Sequence, residues 1–208
     1  MISRRTPQPT RIRRSLVLAS AGAIGTAGLL AACSPEPESA ESLGARTAEA
    51  IRESGTARFE FESDDGQRFE GAIEYEDGAV AALELATYAE DSEEPTSREV
   101  WTDDAGMAAD PDGGPPSAEE LPDLVRAWDW AQVQEDLADA ATSVEEVGER
   151  DVDGVAVTGY ELTSSERTET WWVDDEGRLR SVEYSDADGS TAQGRLYDYG
   201  ADVDITAP

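Results

Sequence analysis

Cys33 is the only thiol in the chain, and it ends an uncharged run, directly after Leu30, Ala31 and Ala32. A sulfur so placed is a nucleophile that a lipid can alkylate, and the two small residues before it suit a peptidase that takes a narrow, extended substrate. No disulfide can form within a chain that has one cysteine. Other chemistry is scarce. There is no His and no Lys, which removes Ser–His and Cys–His nucleophiles, His-ligated metals and lysine nucleophiles. A carboxylate pair of the glycosidase kind is what remains. Among 47 Asp and Glu residues some pair always lies close, so that pattern has no specificity. No catalytic residue, cofactor or metal site is expected.

The residues before Cys33 supply its address. Arg4, Arg5, Arg11, Arg13 and Arg14 precede Ser15 without any acid, as in a charged segment that stays on the cytoplasmic side. Leu16 to Ala32 is uncharged, rich in Gly and Ala, and slightly short for the roughly 20 residues of a membrane span, so it reads as the apolar core of a signal peptide. Leu30-Ala31-Ala32-Cys33 resembles the bacterial lipobox, which implies a signal peptide over residues 1–32, peptidase recognition at Leu30, Ala31 and Ala32, and lipidation of Cys33. The partner so implied is membrane lipid, through a diacylglyceryl-type anchor on Cys33. One acyl chain holds weakly, so further acylation, of the palmitate kind, is implied as well. The Pro/Glu/Ser-rich stretch at 33–42 reads as a flexible tether. The expected location is the extracytoplasmic face of the cell membrane. Arg13-Arg14-Ser15-Leu16-Val17 also fits a twin-arginine signal, and the export route stays open.

Charge narrows the partners. All the acids follow Cys33 while five arginines precede it, leaving 11 basic against 47 acidic residues in the mature chain, a net charge of −36. Such a surface repels phosphate backbones and anionic headgroups, so nucleic acid is excluded as a partner. The acidity reads first as solvation, of a kind that suits a saline exterior. The residues after the signal are enough for one domain with a real core, expected over 43–208 and as a monomer. Asp110-Pro111-Asp112-Gly113 and Asp186-Ala187-Asp188-Gly189 look like openings of calcium loops, but they lack the further oxygens such a loop needs, and turn chemistry accounts for both.

Positioning elements follow from periodicity. Ser42 to Ser54 places Leu43, Thr47, Ala50 and Ile51 on one helical side, with Gly55 just beyond. From Ala57 the period becomes two, through Phe59 and Phe61, Phe69 to Tyr75, Ala79 to Tyr88 and Ser97 to Asp103. Asp65-Gly66 and Asp77-Gly78 supply the positive φ of hairpins. A Pro/Gly-dense loop, Ala109 to Ser117, precedes a helix bearing Leu121, Leu124, Val125 and Trp128, with a second helix over Gln132 to Ala141. Five more strands follow: Val144 to Asp151, Val155 to Thr163, Thr168 to Asp174, Arg178 to Ser185 and Thr191 to Tyr199. Asp153-Gly154, Glu176-Gly177 and Asp188-Gly189 mark connections among them. The expected class is α+β: a curved antiparallel sheet with helices packed on its concave face.

Glu146-Val147-Gly148-Glu149, Asp153-Gly154-Val155 with Tyr160, Trp172-Val173-Asp174-Asp175-Glu176-Gly177-Arg178-Leu179, Tyr197-Asp198-Tyr199-Gly200 and the ending Asp204-Ile205-Thr206-Ala207-Pro208 occur in this order. Together they resemble the actinobacterial LppX/LprG-type lipoproteins, related in fold to the LolA carriers, whose half-barrel encloses lipid or acyl chains. The resemblance implies a LolA-like half-barrel and a binding or carrier protein for lipid or acyl ligands in the cell envelope, not an enzyme. An envelope interaction or sensing module with a filled core and no lipid, with its protein partner unknown, is the alternative. Of five tryptophans, Trp101, Trp128 and Trp172 are the candidates to line a ligand cleft; adjacent Trp171 and Trp172 face opposite sides of their strand. For the anchor the expected outcome is that Cys33→Ala leaves the precursor uncut and unacylated. Acyl-group mass spectrometry of the membrane fraction checks this, and an acylated, mature-sized variant would refute it.

Overall fold

In the computed structural model, which describes residues 38–102, 106–109 and 121–205, each period-two run is a strand. The elements are α1 (Ala40–Ser54), β1 (Thr56–Ser63), β2 (Arg68–Glu76), β3 (Ala79–Tyr88), β4 (Ser97–Thr102), β5 (Gly106–Ala109), α2 (Leu121–Trp128), α3 (Trp130–Ala140), β6 (Ser143–Val152), β7 (Val155–Thr163), β8 (Arg167–Asp174), β9 (Leu179–Asp186) and β10 (Thr191–Tyr197). They build one antiparallel sheet in the order β5-β4-β3-β2-β1-β10-β9-β8-β7-β6. Two meanders thus meet at the β1–β10 pair, where Phe59 lies opposite Leu196. Helices α2 and α3 form the connection between the meanders. The sheet is open, with β5 and β6 at its edges. Glu145, Glu146, Glu149 and Asp151 along β6 blunt that edge against further strand pairing.

Turn chemistry divides the Asp-Gly and Glu-Gly pairs into two kinds. At Asp77-Gly78 and Asp153-Gly154 both residues have positive φ, 51° and 81°, then 52° and 83°, as a two-residue type I′ hairpin demands. At Gly66, Gly177 and Gly189 only the glycine is left-handed. There its N–H bonds to the carbonyl three residues back, at Ser63, Asp174 and Asp186 respectively, each at 3.0 Å. These are longer hairpins that end on a glycine.

Helix α1 begins at Ala40, two residues before the expected Ser42, because Ser39 is its N-cap and accepts the Ser42 N–H at 3.1 Å. Before it, the Glu38 carboxylate accepts from two nitrogens of the Arg46 guanidinium at 3.0 and 2.9 Å. Residues 37–208 form one compact unit. Among the described residues no helix is long and apolar enough to cross a membrane. The expected signal peptide, the expected cleavage residues Leu30, Ala31 and Ala32, and Cys33 lie outside the described residues, as does Asp110-Pro111-Asp112-Gly113.

The core lies between one sheet face and the helices. Leu43 and Ile51 of α1 and Trp130, Ala131 and Ala138 of α3 pack with Phe59, Ile73, Leu83, Leu162, Trp171, Leu179 and Leu196. Helix α3 is tied down by a polar contact: the Tyr75 hydroxyl donates to Asp129 at 3.0 Å and accepts the Ala131 N–H at 3.2 Å. Asp129 is also the N-cap of α3. The Tyr75 hydroxyl is held well above its ordinary titration range, first by burial and then by the nearby Asp129 carboxylate. Gly71 sits opposite Phe59, and a side chain there would collide with that ring and with the Glu84 carbonyl. Gly44 plays the same part between helices, where a methyl group would overlap the Ala138 methyl.

On the opposite face the last described residues fold back, and Val203 and Ile205 bury against Ala72, Ala82 and Val100. This end is fastened by Gly200 N–H to the Thr56 carbonyl at 3.0 Å and by the Thr56 hydroxyl to the Ala201 carbonyl at 2.7 Å. The Tyr199 hydroxyl donates to the Leu179 carbonyl at 2.5 Å. Gly44→Ala is expected to force α1 from α3 and cost about 1–3 kcal/mol by overpacking, read as a lower urea midpoint. Ala138→Gly in that background should recover part of the loss, and an unchanged midpoint in the single variant would contradict the close packing.

Candidate functional site

A curled sheet under two short helices leaves gaps where side chains do not meet, and one such gap on the helix side is a cleft of about 310 Å³. That volume is at the lower end of the range for small-molecule sites. Phe61 of β1, Trp128 at the end of α2, Trp130, Val133, Gln134 and Leu137 of α3, Arg167 and Glu169 of β8, and Val182 and Tyr184 of β9 line it. The apolar wall is aromatic. Trp128 stacks on Phe59 with centroids 5.1 Å apart and meets Phe69 at 5.3 Å, and Phe61 stacks on Tyr184 at 5.7 Å.

Three polar side chains interrupt this wall. Gln134 is 1 % exposed, yet neither its Oε1 nor its Nε2 has a hydrogen-bond partner among the described residues. Trp130 Nε1 is likewise buried without an acceptor. Glu169, 4 % exposed, accepts the Trp171 indole N–H on Oε2 at 2.8 Å, while its Oε1 takes no hydrogen bond and stands 3.4 Å from Arg167 Nε. Burial pushes the Glu169 carboxyl above its ordinary range, and the Trp171 hydrogen bond and the Arg167 charge do not outweigh it. A buried amide left without partners costs about 1–3 kcal/mol, which a purely structural position would shed.

The three tryptophans singled out from sequence separate. Trp128 lines the cleft. Trp101 lies opposite Leu83 and packs on the same core without reaching the cleft. Trp172 stands on the other face of the sheet, its ring covered by the Arg150 guanidinium at 3.8 Å. Trp171 is the inward member of the pair and is fully buried. The inward set on β8 is Glu169, Trp171 and Val173, so a carboxylate shares the face of the core. Gln134 and Glu169 were missed. Their signal is parity, since Gln134 follows Trp130 by four residues on α3 and Glu169 precedes Trp171 by two.

A larger depression of about 570 Å³ lies on the sheet's other face, among Glu62, Glu161, Thr170 and Glu183. Its lining is polar and acidic, unsuited to an apolar ligand. Asp186 to Gly189 forms the β9–β10 hairpin, in which Asp188 accepts the Ser190 N–H at 3.0 Å, so its carboxylates serve the turn.

No protein-family model matches the chain, and no curated protein matches it by sequence. Solved structures do match in fold. The lipoprotein LppX of Mycobacterium tuberculosis superposes with a TM-score of 0.60 at 10% identity, over 80% of this chain and 98% of LppX. LprF from Mycobacterium bovis gives 0.60 at 13% identity, over 81% and 96%. MucB in complex with MucA(peri) gives 0.51 at 19% identity, over 81% of this chain and 60% of MucB. The fold is therefore that of LppX and LprF, a curved antiparallel sheet with helices on one face, as expected from the sequence.

A carboxyl held above its ordinary range makes the folded chain keep a proton that the unfolded chain has lost, so this site's stability is complete below the ordinary glutamate range and falls as pH rises through the folded value. Glu169→Gln should remove that slope. In urea unfolding the variant is expected to gain on the wild type as pH rises from acid to neutral, and a difference that does not vary with pH would contradict it.

Proposed function

We propose that the chain is a membrane-anchored, exported lipoprotein that binds or carries a lipid or acyl chain in the cleft between its helices and the concave sheet face, without bond-breaking chemistry. One observation carries this reading: an aromatic-walled cleft at the core's edge in which buried polar side chains stay unpartnered. Burial of an acyl chain is favourable by about 0.8 kcal/mol per CH₂. A cleft of about 310 Å³ admits a single short chain or part of a longer one. Two further facts support the reading: LppX, which shares the fold, is itself a lipoprotein, and the residues up to Cys33 have the pattern of a lipoprotein signal. The anchor would hold the cleft close to the membrane that supplies its ligand. Trp128, at the end of α2 and against Phe59, Phe61 and Phe69, would serve as the hinge side of a cover.

A second reading, an envelope module that binds a protein, has one observation in its favour. MucB, with a similar fold, is seen in complex with MucA(peri). Solvent extraction of the purified soluble form (residues 34–208) followed by lipid mass spectrometry separates the two, with co-purified acyl lipid expected. Trp128→Ala should weaken binding of a fluorescent fatty-acyl probe roughly tenfold or more, the scale for truncating a buried aromatic anchor. A wild-type protein that yields no lipid and does not bind the probe would sink the carrier reading.

A further inference from the structure

The cleft's polar end is built from groups of both hydrogen-bonding senses. Gln134 has an unpartnered donor and an unpartnered acceptor, Trp130 Nε1 is a donor and Glu169 Oε1 an acceptor, all buried from water in residues that line the cleft. Among the described residues that line the cleft the one cation is Arg167, and it stands 3.4 Å from the Glu169 carboxylate. A carboxylate or phosphate entering this end would meet Glu169 and would have to draw Arg167 away from it. A hydroxyl or amide, by contrast, donates and accepts at once, and so matches a Gln side chain that lacks both partners. The apolar stem of such a ligand would lie on Phe61, Trp128, Leu137 and Val182, which line the same cleft.

From this juxtaposition we infer that the ligand is a single-chain amphiphile with an uncharged, hydroxyl-bearing head, and that Gln134 and Glu169 select it against fatty acids and lipid phosphates. This rests on the reading of the cleft as an acyl site and adds to it the chemistry of the head. Selection works by mismatch as much as by match. A site that offers unpartnered donors and acceptors rejects a ligand unable to satisfy them, and like charges placed together reject an anion. Gln134 also has the mark of a functional residue that lowers stability, since a leucine of similar size would leave nothing unsatisfied there.

The test uses the soluble form, residues 34–208, which contains the whole compact unit. Three probes share one chain length and are kept below their micelle concentrations: monolauroylglycerol, laurate and lauroyl-lysophosphatidic acid. Titration calorimetry reads their Kd values. Monolauroylglycerol is expected to bind at least about tenfold more tightly than either anion, a ratio equivalent to about 1.4 kcal/mol. Gln134→Leu should abolish that preference by weakening monolauroylglycerol about tenfold, while raising Tm by about 2–4 °C. Glu169→Gln should narrow the preference from the other side, by strengthening laurate severalfold, and keeps the test open if the first variant folds poorly. Laurate or the phosphate binding as tightly as the neutral lipid to the wild type overturns the head-group assignment and leaves the carrier reading standing. A preference unchanged in both variants overturns it as well. Failure of all three probes to bind overturns the carrier reading, and the inference with it.

Discussion

One constraint governs the molecule: a curled sheet whose inner face is apolar must have that face covered, and the cover must be held in register. Here the cover is α1 and α3, and the Tyr75 hydroxyl holds α3 by binding both its N-cap carboxylate and its Ala131 amide. The same residue therefore belongs to the sheet by its backbone and to the helix by its oxygen. Gly44 completes the arrangement by letting α1 and α3 approach to methyl contact. With α3 fixed in this way, Trp130 and Gln134 are fixed too, because they stand one turn apart on its inward side.

The cleft follows from the cover's being short. Helix α3 reaches across the sheet with eleven residues and α2 with eight, and between them and β1, β8 and β9 the packing stays incomplete. Some buried polar side chains elsewhere are fully engaged. Asp174, for example, is buried yet receives the Glu176 and Arg178 amides and the Arg178 and Arg180 guanidinium groups at 2.8 to 3.0 Å. Burial works to raise its titration range, and these hydrogen bonds together hold it below the ordinary carboxylate value. The contrast with Gln134 is what makes the cleft a candidate site.

Much of the fold was legible because alternation and turn chemistry agree with it. The strands at Ala79–Tyr88 and Val155–Thr163 have the bounds that alternation alone assigns. Two of the phrases that carried the resemblance are fastenings: Asp174 to Arg178 closes the β8–β9 turn, and Tyr199 and Gly200 tie the segment after β10 to Leu179 and Thr56. The short strand Gly106–Ala109 was not legible, since four small or unbranched residues have no period to read. The site was less legible than the fold. Burial of Glu169 breaks the rule by which strand faces are assigned, so alternation does not single out Trp171 as the inward residue of the pair.

The pairing of β1 with β10 has a consequence for how the protein is made. Among the described strands the two at the centre of the sheet are the first and the last, so synthesis delivers one half of the central pair long before the other. Until Thr191–Tyr197 emerges, the first meander has one bare edge where its partner belongs. Contacts so distant in sequence also form slowly. A chain with this connectivity finishes its middle last, and it stays unfinished for as long as its end has yet to arrive.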